Sequence, residues 1–378
     1  MKNDDKLMIL GFLQRISLSD KRVSGTLSLL NEHLMARELV KDIIDVEIYG
    51  IREKINLIKN CSFSTDKWSF KNMMDVRIKE KRSIEAAKKV SKLKGTYNVC
   101  LQIGSEFKVH DIEMLKKIPR FSYHDNNLMA LLKNSHYYHK YPKIIKRAFD
   151  FEKEVYDNLD GIFTMTEHLR QSFISDFKLH ESKVHSIGFG ANLSYENIER
   201  DYDGETILFI AKDSFEKKGG KVLLEAFNKV KSVIKNSRLI LVGQRLNINN
   251  EGVEVIDFID KNREGGVEKL KSLYREASLF VMPSPYEAAG NVFLEAMSNK
   301  VPCIGADIGA TSEILIDNNC GIVVEPGNDR NLAHAIIDLL ENKKLLESMG
   351  ENGFKAIENK YNWDTVCTKA IHIMESYL

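Results

Sequence analysis

Residues 281–298 read V-M-P-S-P-Y-E-A-A-G-N-V-F-L-E-A-M-S, and they form the most informative motif of the sequence. It begins with the end of an apolar run, turns through Pro-Ser-Pro and continues as an amphipathic segment from Gly290. A strand, a turn and a helix in this order form the unit from which parallel α/β sheets are built. Glu287 precedes the predicted helix and Glu295 lies eight positions further on. That spacing is about two helical turns, so both carboxylates are expected on a similar face.

The start of the predicted helix has the properties of an anion site. The N–H groups of Gly290, Asn291 and Val292 lack partners inside the helix, and the helix dipole favours negative charge there. Gly290 has no side chain, so the backbone can approach a phosphate closely at this point. We therefore assign phosphate binding to these three residues together with the preceding Ala289.

Apolar runs and amphipathic segments alternate on both sides of this stretch. Strands are predicted at residues 6–12, 43–49, 97–103, 120–123, 161–165, 184–187, 206–210, 238–242, 253–256, 278–282, 301–304 and 321–324. Helical patterns separate most of these strands, which predicts the fold class α/β with two doubly wound, Rossmann-like parallel sheets.

A polar stretch with three glycines, residues 188–204, interrupts the alternation. We therefore expect a first domain over residues 1–190, a linker over 191–205, a second domain over 206–360 and a terminal helix over 361–378. Ligands of open parallel sheets bind outside the carboxyl ends of the strands, so the cleft between two such domains is the expected site.

The composition is that of a soluble globular protein. The 378 residues are 43% hydrophobic and 29% charged, which excludes a disordered or multi-spanning chain. No apolar run approaches the roughly 20 residues of a membrane helix. Asp4 and Asp5 lie where a signal peptide carries positive charge. The five cysteines include no C-x-x-C pair, which argues against disulfides and structural zinc. We expect a cytoplasmic protein, with peripheral contact at the inner face of the cell membrane as an option.

The charge is unevenly distributed along the chain. Residues 51–150 hold 22 Lys and Arg against 10 Asp and Glu, although the whole chain has a net charge of +1. A long basic helix is predicted over residues 73–92, and residues 136–149 interleave aromatic residues with cations. Such a surface suits an anionic membrane or a lipid-diphosphate acceptor; a solvated lysine-rich surface is the alternative. Nucleic acid is not an expected partner, because no binding motif accompanies the charge.

A second motif follows the first predicted strand of the second domain. Residues 208–220 read L-F-I-A-K-D-S-F-E-K-K-G-G, which places Lys212 and Lys218 between a strand and a helix. A group that gains negative charge when a bond breaks is stabilised by fixed cations. These two lysines are the candidate cations.

Together the motifs resemble the retaining glycosyltransferases of family 4 (glycosyl transferases group 1), which have the two-domain GT-B fold. The family pattern P-S-x-x-E-x-F-G-x-x-x-x-E-A-M is matched at Pro283, Ser284, Glu287, Gly290, Glu295, Ala296 and Met297. Ala289 stands where the family has an aromatic residue, and Lys212 stands where it has Arg. The resemblance covers nearly all of residues 206–378, and the first domain mainly in topology. Residues 361–363 resemble the start of the family's terminal helix, which returns to the first domain.

The resemblance implies roles for the candidate residues of the second domain. Lys212, Lys218 and the helix start at Gly290 would hold the diphosphate. Glu287 would orient the donor sugar and stabilise the cationic transition state. Glu295 would bind the ribose hydroxyls of the nucleotide. Phe258 would contact the nucleotide base, with an ordinary core position as its alternative.

Two candidates lie in the first domain. Gly25, within Ser24-Gly-Thr26, would let the backbone approach the diphosphate, and a simple helix start is the alternative. His124, within the sequence S-Y-H-D, would hold the donor sugar by analogy with the family. Its alternative is a hydrogen-bonded structural histidine.

The implied function is transfer of a sugar from a UDP- or GDP-sugar to a hydroxyl of a glycan or lipid-linked acceptor, in the synthesis of a surface polysaccharide or glycoconjugate. No cofactor is expected beyond the donor substrate, and no metal. The sequence Asp201-Tyr-Asp203 spells D-x-D, the metal motif of a different glycosyltransferase fold, but it lies in the predicted linker. A sugar-nucleotide epimerase on the same fold and a non-catalytic glycosyltransferase-like subunit are the alternatives.

Overall fold

The computed structural model describes residues 7–13, 26–47, 60–62, 64–133, 138–193, 196–212 and 215–378. The chain divides into two compact units, here called unit 1 and unit 2. Unit 1 comprises Met1–Ser19, Leu27–Ile187 and Cys367–Leu378, and unit 2 comprises Asp20–Thr26 and Gly188–Val366. The C-terminal segment therefore belongs to unit 1, although the residues before it belong to unit 2.

Unit 1 contains a parallel sheet. Its strands are β1 (Ile9–Leu13), β2 (Val40–Asp45), β3 (Val99–Ile103), β4 (Arg120–His124), β5 (Gly161–Thr164) and β6 (Val184–Ser186). They are arranged in the order β2-β1-β3-β4-β5-β6, each parallel to its neighbours. Every residue of β1, β3 and β5 is buried. Strands of a parallel sheet that is covered on both faces are buried in this way.

Helices and two 3₁₀ turns connect these strands. They are α1 (Thr26–Ala36), α2 (Thr65–Met73), α3 (Val76–Val90), α4 (Leu128–Leu132), α5 (Pro142–Asp157) and α6 (Glu167–Phe177), with the turns at Glu113–Leu115 and Glu181–Lys183. Aromatic residues anchor α5 and α6 in the core. Tyr156 packs edge-on against Phe173 and Phe177, with ring centroids 4.9 Å apart in each pair.

The long basic helix predicted over residues 73–92 is confirmed as α3, which begins at Val76 and ends at Val90. α2 ends at Met73 and α3 begins at Val76, with Asp75 between them in an extended conformation. The Asp75 carboxylate accepts the N–H of Arg77 at 3.1 Å and so caps α3. This capping residue therefore places the start of the basic helix at Val76 rather than at the predicted Met73.

Unit 2 contains the second parallel sheet. Its strands are β7 (Thr206–Ala211), β8 (Arg238–Gly243), β9 (Val253–Asp257), β10 (Leu279–Met282), β11 (Cys303–Ala306) and β12 (Gly321–Val324). The order is β12-β11-β10-β7-β8-β9, again parallel throughout. From β7 the chain winds first towards β9 and then crosses to β10 on the other side. The topological switch point therefore lies between β7 and β10, where sheets of this order bind ligands.

The helices of this half follow the same alternation. They are α7 (Gly220–Val233), α8 (Gly266–Glu276), α9 (Asn291–Met297), α10 (Ala310–Leu315), α11 (Asp329–Leu340) and α12 (Lys343–Asn359). The last helix, α13 (Trp363–Glu375), begins in unit 2 and belongs to unit 1 from Cys367 onward. After α13, Tyr377 packs edge-on against Phe121 of β4, with ring centroids 5.2 Å apart. The end of the chain is therefore part of the packing of unit 1.

The predicted fold class, two doubly wound parallel sheets with flanking helices, is confirmed. Within the described ranges, no helix has both the length and the apolar character that a membrane crossing requires. All five cysteines are free; Cys61 is exposed and the other four are buried.

Candidate functional site

The candidate residues of unit 2 gather at one edge of its sheet, at the carboxyl ends of β7, β9 and β10. Lys212 directly follows β7 and Phe258 directly follows β9. Glu287 lies in the loop after β10. The sheet order thus brings together residues that are up to 75 positions apart in sequence.

Lys218 and Glu287 form an ion pair across the topological switch point. The Lys218 Nζ lies 2.6 Å from Glu287 Oε2, and Glu287 Oε1 accepts the N–H of Gly290 at 3.3 Å. One carboxylate therefore connects the loop after β7 to the start of α9. The N–H of Gly290, predicted to be free for an anion, is occupied by Glu287.

A close backbone contact holds the two loops together. Gly219 has a φ of +82°, and a Cβ at this position would lie 2.2 Å from the carbonyl oxygen of Pro283. Only glycine fits both the backbone conformation and the space. Ser284, after Pro283, donates its hydroxyl to the backbone oxygens of Lys217 and Tyr286. The sequence K-K-G-G is thus what allows Lys218 to reach Glu287.

Glu295 lies on α9 and is buried. Its Oε1 is 2.5 Å from the Nζ of Lys261, and its Oε2 accepts the hydroxyl of Tyr274 at 3.1 Å. Tyr274 is fully buried, and this burial, together with the Glu295 charge, holds the pKa of the phenol well above its ordinary value. Tyr274 therefore stays a hydrogen-bond donor to the carboxylate.

Lys212 and Phe258 are neighbours at the same edge. The Lys212 Nζ lies 5.2 Å from the centroid of the Phe258 ring, a cation–π distance. Phe258 is exposed, so the core alternative for this residue is wrong. An exposed aromatic ring beside a cation suits a flat, anionic ligand such as a nucleotide.

The start of α9 contains the four residues predicted to bind phosphate. Gly290 caps the helix with a φ of +77°, in the left-handed region that favours glycine. Ala289 is buried, and Val292 is partly buried. The Oδ1 atom of Asn291 is buried and accepts no hydrogen bond from any described residue.

His124, the candidate of unit 1, is buried at the end of β4. Its Nε2 lies 2.7 Å from the Ser122 hydroxyl, and its ring packs edge-on against Tyr156 and Phe173. Burial lowers the pKa of His124 to about 3. The imidazole is therefore neutral near pH 7, and its ring is tied to the protein's own core. Gly25 lies outside the described residues.

His124 also lines a cavity of about 250 Å³ at the carboxyl ends of β3 and β4. The charged residues around this cavity are Lys79, Glu106, Asp125 and Glu152. Lys79 lies 2.9 Å from Glu106 and 3.4 Å from Glu152. Burial alone would lower the pKa of Lys79, but the two carboxylates outweigh it and the pKa is raised.

The cations of α3 are thus largely occupied by carboxylates of unit 1. Besides Lys79, Arg82 contacts Glu106 at 2.8 Å and Glu47 at 3.2 Å. Sequence composition indicated a basic surface, but it could not show that the charges of Lys79 and Arg82 are neutralised by carboxylates within the fold.

Two residues of the unit 2 edge, Lys261 and Tyr274, were not among the predicted site residues. Both contact Glu295, from 34 and 21 positions away. The sequence signals were the position of Lys261 shortly after a strand end and the resemblance of the segment that includes Tyr274 to the family's region beside the nucleotide base. The D-x-D residues Asp201 and Asp203 instead face Lys343, at 3.7 and 2.5 Å.

Comparison with known proteins also points to unit 2 as the part of the chain that carries the candidate site. Residues 194–356, all within unit 2, match the family model of glycosyl transferases group 1. The chain is 26% identical over 220 residues to the capsular polysaccharide biosynthesis glycosyltransferase CapM of Staphylococcus aureus, which covers 53% of this chain and 57% of that protein. It is 29% identical over 179 residues to the phosphatidyl-myo-inositol mannosyltransferase of Mycobacterium leprae, covering 46% of this chain and 47% of that protein.

The fold is that of the GT-B glycosyltransferases. The solved structure of sucrose-phosphate synthase from Thermosynechococcus elongatus matches with a TM-score of 0.67, at 15% identity over 98% of each chain. This structural match shows the fold, and the predicted resemblance to group 1 glycosyltransferases is supported in sequence by the match of residues 194–356 and by the two relatives above. The sequence matches cover only part of the relatives' own length: 57% of CapM and 59% of each of two glycosyltransferases from Methanocaldococcus jannaschii.

Proposed function

We propose that this protein is a retaining glycosyltransferase that uses a nucleoside diphosphate sugar, with UDP or GDP as the nucleotide. The observation that carries the proposal is the Lys218–Glu287 pair, 2.6 Å apart at the topological switch point of unit 2. The match of residues 194–356 to group 1 glycosyl transferases supports it, because that segment contains this pair.

The proposed reaction uses the residues of the unit 2 edge in distinct roles. Lys218 and Lys212 bind the diphosphate and stabilise the negative charge that it gains on leaving. When the diphosphate binds Lys218, Glu287 is released towards the donor sugar, whose ring becomes positively charged in the transition state. The acceptor hydroxyl attacks on the face from which the leaving group departs, and a donor phosphate oxygen takes its proton.

The cavity of unit 1 is the proposed acceptor side. The charged groups around the cavity are one lysine, Lys79, and three carboxyl groups, so acidic groups outnumber basic ones. Lys79 is moreover already bound by two of these carboxylates. Carboxylates accept hydrogen bonds from hydroxyl groups, and they repel phosphates and uronic acids. We therefore expect the acceptor end that enters this cavity to be a neutral or amino-bearing sugar, on a glycan or a lipid-linked glycan.

Metal independence is part of the proposal. Lys212 and Lys218 supply the positive charge that a metal ion would otherwise supply to a diphosphate. Asp203 of the D-x-D sequence is paired with Lys343. Activity is therefore expected to persist in EDTA; a strict metal requirement would assign the diphosphate charge to an ion instead.

Calorimetric titration with UDP, GDP and ADP in EDTA tests the donor site without an acceptor. We expect micromolar binding of one nucleotide, weakened at least about tenfold in Lys218→Met and unchanged in Lys221→Met, an exposed lysine on the neighbouring helix. Transfer assays with sugars of the bound nucleotide then follow, with the anomeric configuration of the product read by NMR. Binding of none of the three nucleotides by the wild type would favour a non-catalytic subunit, and an inverted product would exclude retention.

A further inference from the structure

The Lys261–Glu295 pair differs from other ion pairs of unit 2. Lys300–Glu351, for example, joins the segment that leads into the amino end of β11 to α12. Lys261 instead extends from the loop after β9 to α9, the helix that follows β10. It therefore lies at the sheet edge where Phe258 and Lys212 also lie.

The two partners differ in exposure. The Glu295 side chain is 4% exposed, whereas the Lys261 side chain that covers it is 26% exposed. A ligand that reaches the Glu295 carboxylate therefore also meets the Lys261 ammonium.

Hydrogen-bonding capacity at this pair is only partly used. A carboxylate has about four acceptor positions and an ammonium has three donors. Lys261 and Tyr274 occupy one acceptor position each on Glu295, so about two remain. Lys261 keeps about two donors after its contact with Glu295. The pair can therefore both accept from and donate to hydroxyl groups, as a vicinal diol requires.

We propose that Lys261 is a specificity-determining residue, which together with Glu295 recognises the 2′ and 3′ hydroxyls of the donor nucleotide's ribose. This inference rests on the proposed nucleotide site. Glu295 accepts hydrogen bonds from the two hydroxyls, and Lys261 donates to one of them.

The test compares ribonucleotides with their 2′,3′-dideoxy forms by calorimetry on the full chain. The probes are UDP, GDP and ADP, followed by the dideoxy form of whichever binds best. In the wild type we expect the dideoxy form to bind at least about tenfold more weakly. Lys261→Met should lose most of this preference by weakening the ribonucleotide alone. Lys261→Arg should restore it in large part, and Lys269→Met, an exposed change on α8, should behave as the wild type.

A double-mutant cycle separates recognition from folding. In Glu295→Gln, the further change Lys261→Met should have no additional effect on the ratio of the two affinities, since the two residues act as one unit. An unchanged ratio in Lys261→Met would overturn the inference, and so would an equal loss of both nucleotides. Failure of the wild type to bind any ribonucleotide would instead overturn the proposed function, and the inference with it.

Discussion

Both units place lysine and glutamate together, but the pairs differ in what surrounds them. In unit 1, the side chains of Lys79 and Glu152 are 4% and 6% exposed, and Glu152 also accepts the N–H of Leu128 and the hydroxyl of Tyr156. In unit 2, the Lys218 side chain is 29% exposed, and its partner Glu287 is held by one backbone N–H. The first pair is enclosed by its own protein, whereas the second has a side open to a ligand.

The proposed function assigns the two pairs different tasks: the Lys79–Glu152 pair serves folding, and the Lys218–Glu287 pair serves donor binding. Breaking a buried ion pair is costly because it leaves an uncompensated charge. In the Lys218–Glu287 pair the lysine side chain is 29% exposed and the carboxylate 11%, so water solvates the lysine when the two separate and the pair contributes less to stability. Lys218 can therefore exchange Glu287 for a phosphate at low cost, and Lys79 has no comparable freedom.

Glu152→Ala tests the enclosed pair and has the largest expected effect. It should lower the free energy of unfolding by about 3–5 kcal/mol, because Lys79 and the N–H of Leu128 both lose a partner. Urea unfolding measures this value. Glu154→Ala, two positions along the same helix, removes an exposed carboxylate and should cost less than about 1 kcal/mol. Equal losses in the two variants would remove the distinction between the units.

Glu287→Gln tests the open pair by activity. Turnover should fall by about a hundredfold or more, because the carboxylate charge beside the donor sugar is lost, while the thermal unfolding curve stays close to that of the wild type. Glu325→Gln removes an exposed carboxylate after β12 of the same sheet and should leave turnover unchanged. Near-normal turnover in Glu287→Gln would refute its assigned role.

A third test uses the pH dependence of the free energy of unfolding, to which the buried His124 of unit 1 contributes. Its folded pKa of about 3 lies below the ordinary value of 6.5, so only the unfolded chain takes up a proton as the pH falls through 6.5. The stabilisation is complete above pH 6.5 and is lost as the pH falls towards 3. Between pH 7 and 5 it should decrease by about 2 kcal/mol. Urea unfolding of wild type and His124→Gln at both pH values measures it; an equal pH dependence of the two proteins would show that His124 is not buried as a neutral group.

Lys218→Met has the smallest expected effect on the folded protein. Its unfolding free energy should change by less than about 1 kcal/mol, although nucleotide affinity falls about tenfold. Chemical denaturation of the variant used in the titration provides the comparison. A loss of stability as large as that of Glu152→Ala would mean that the Lys218–Glu287 pair is structural as well.

The sequence predicted the sheets well, because parallel strands of α/β proteins are apolar runs separated by helical patterns. It also placed Glu287 and Glu295 near each other, since they share one local motif. It did not predict Lys261 as a partner of Glu295, because that contact depends on the positions of two loops from different strands. Nor did it predict the neutralisation of Lys79, whose partners are 27 and 73 positions away. Local patterns encode elements, whereas long-range ion pairs depend on how the elements assemble.

The contact between Gly219 and Pro283 has a consequence for the energetics of turnover. Because the two backbones are in contact there, Lys218 and Glu287 are brought together when the protein folds, before any ligand binds. A donor that binds at the proposed site would meet dipoles and charges already oriented, and little of its binding energy would be needed to reorganise them. Gly219→Ala would separate the two loops and transfer that reorganisation to every reaction cycle.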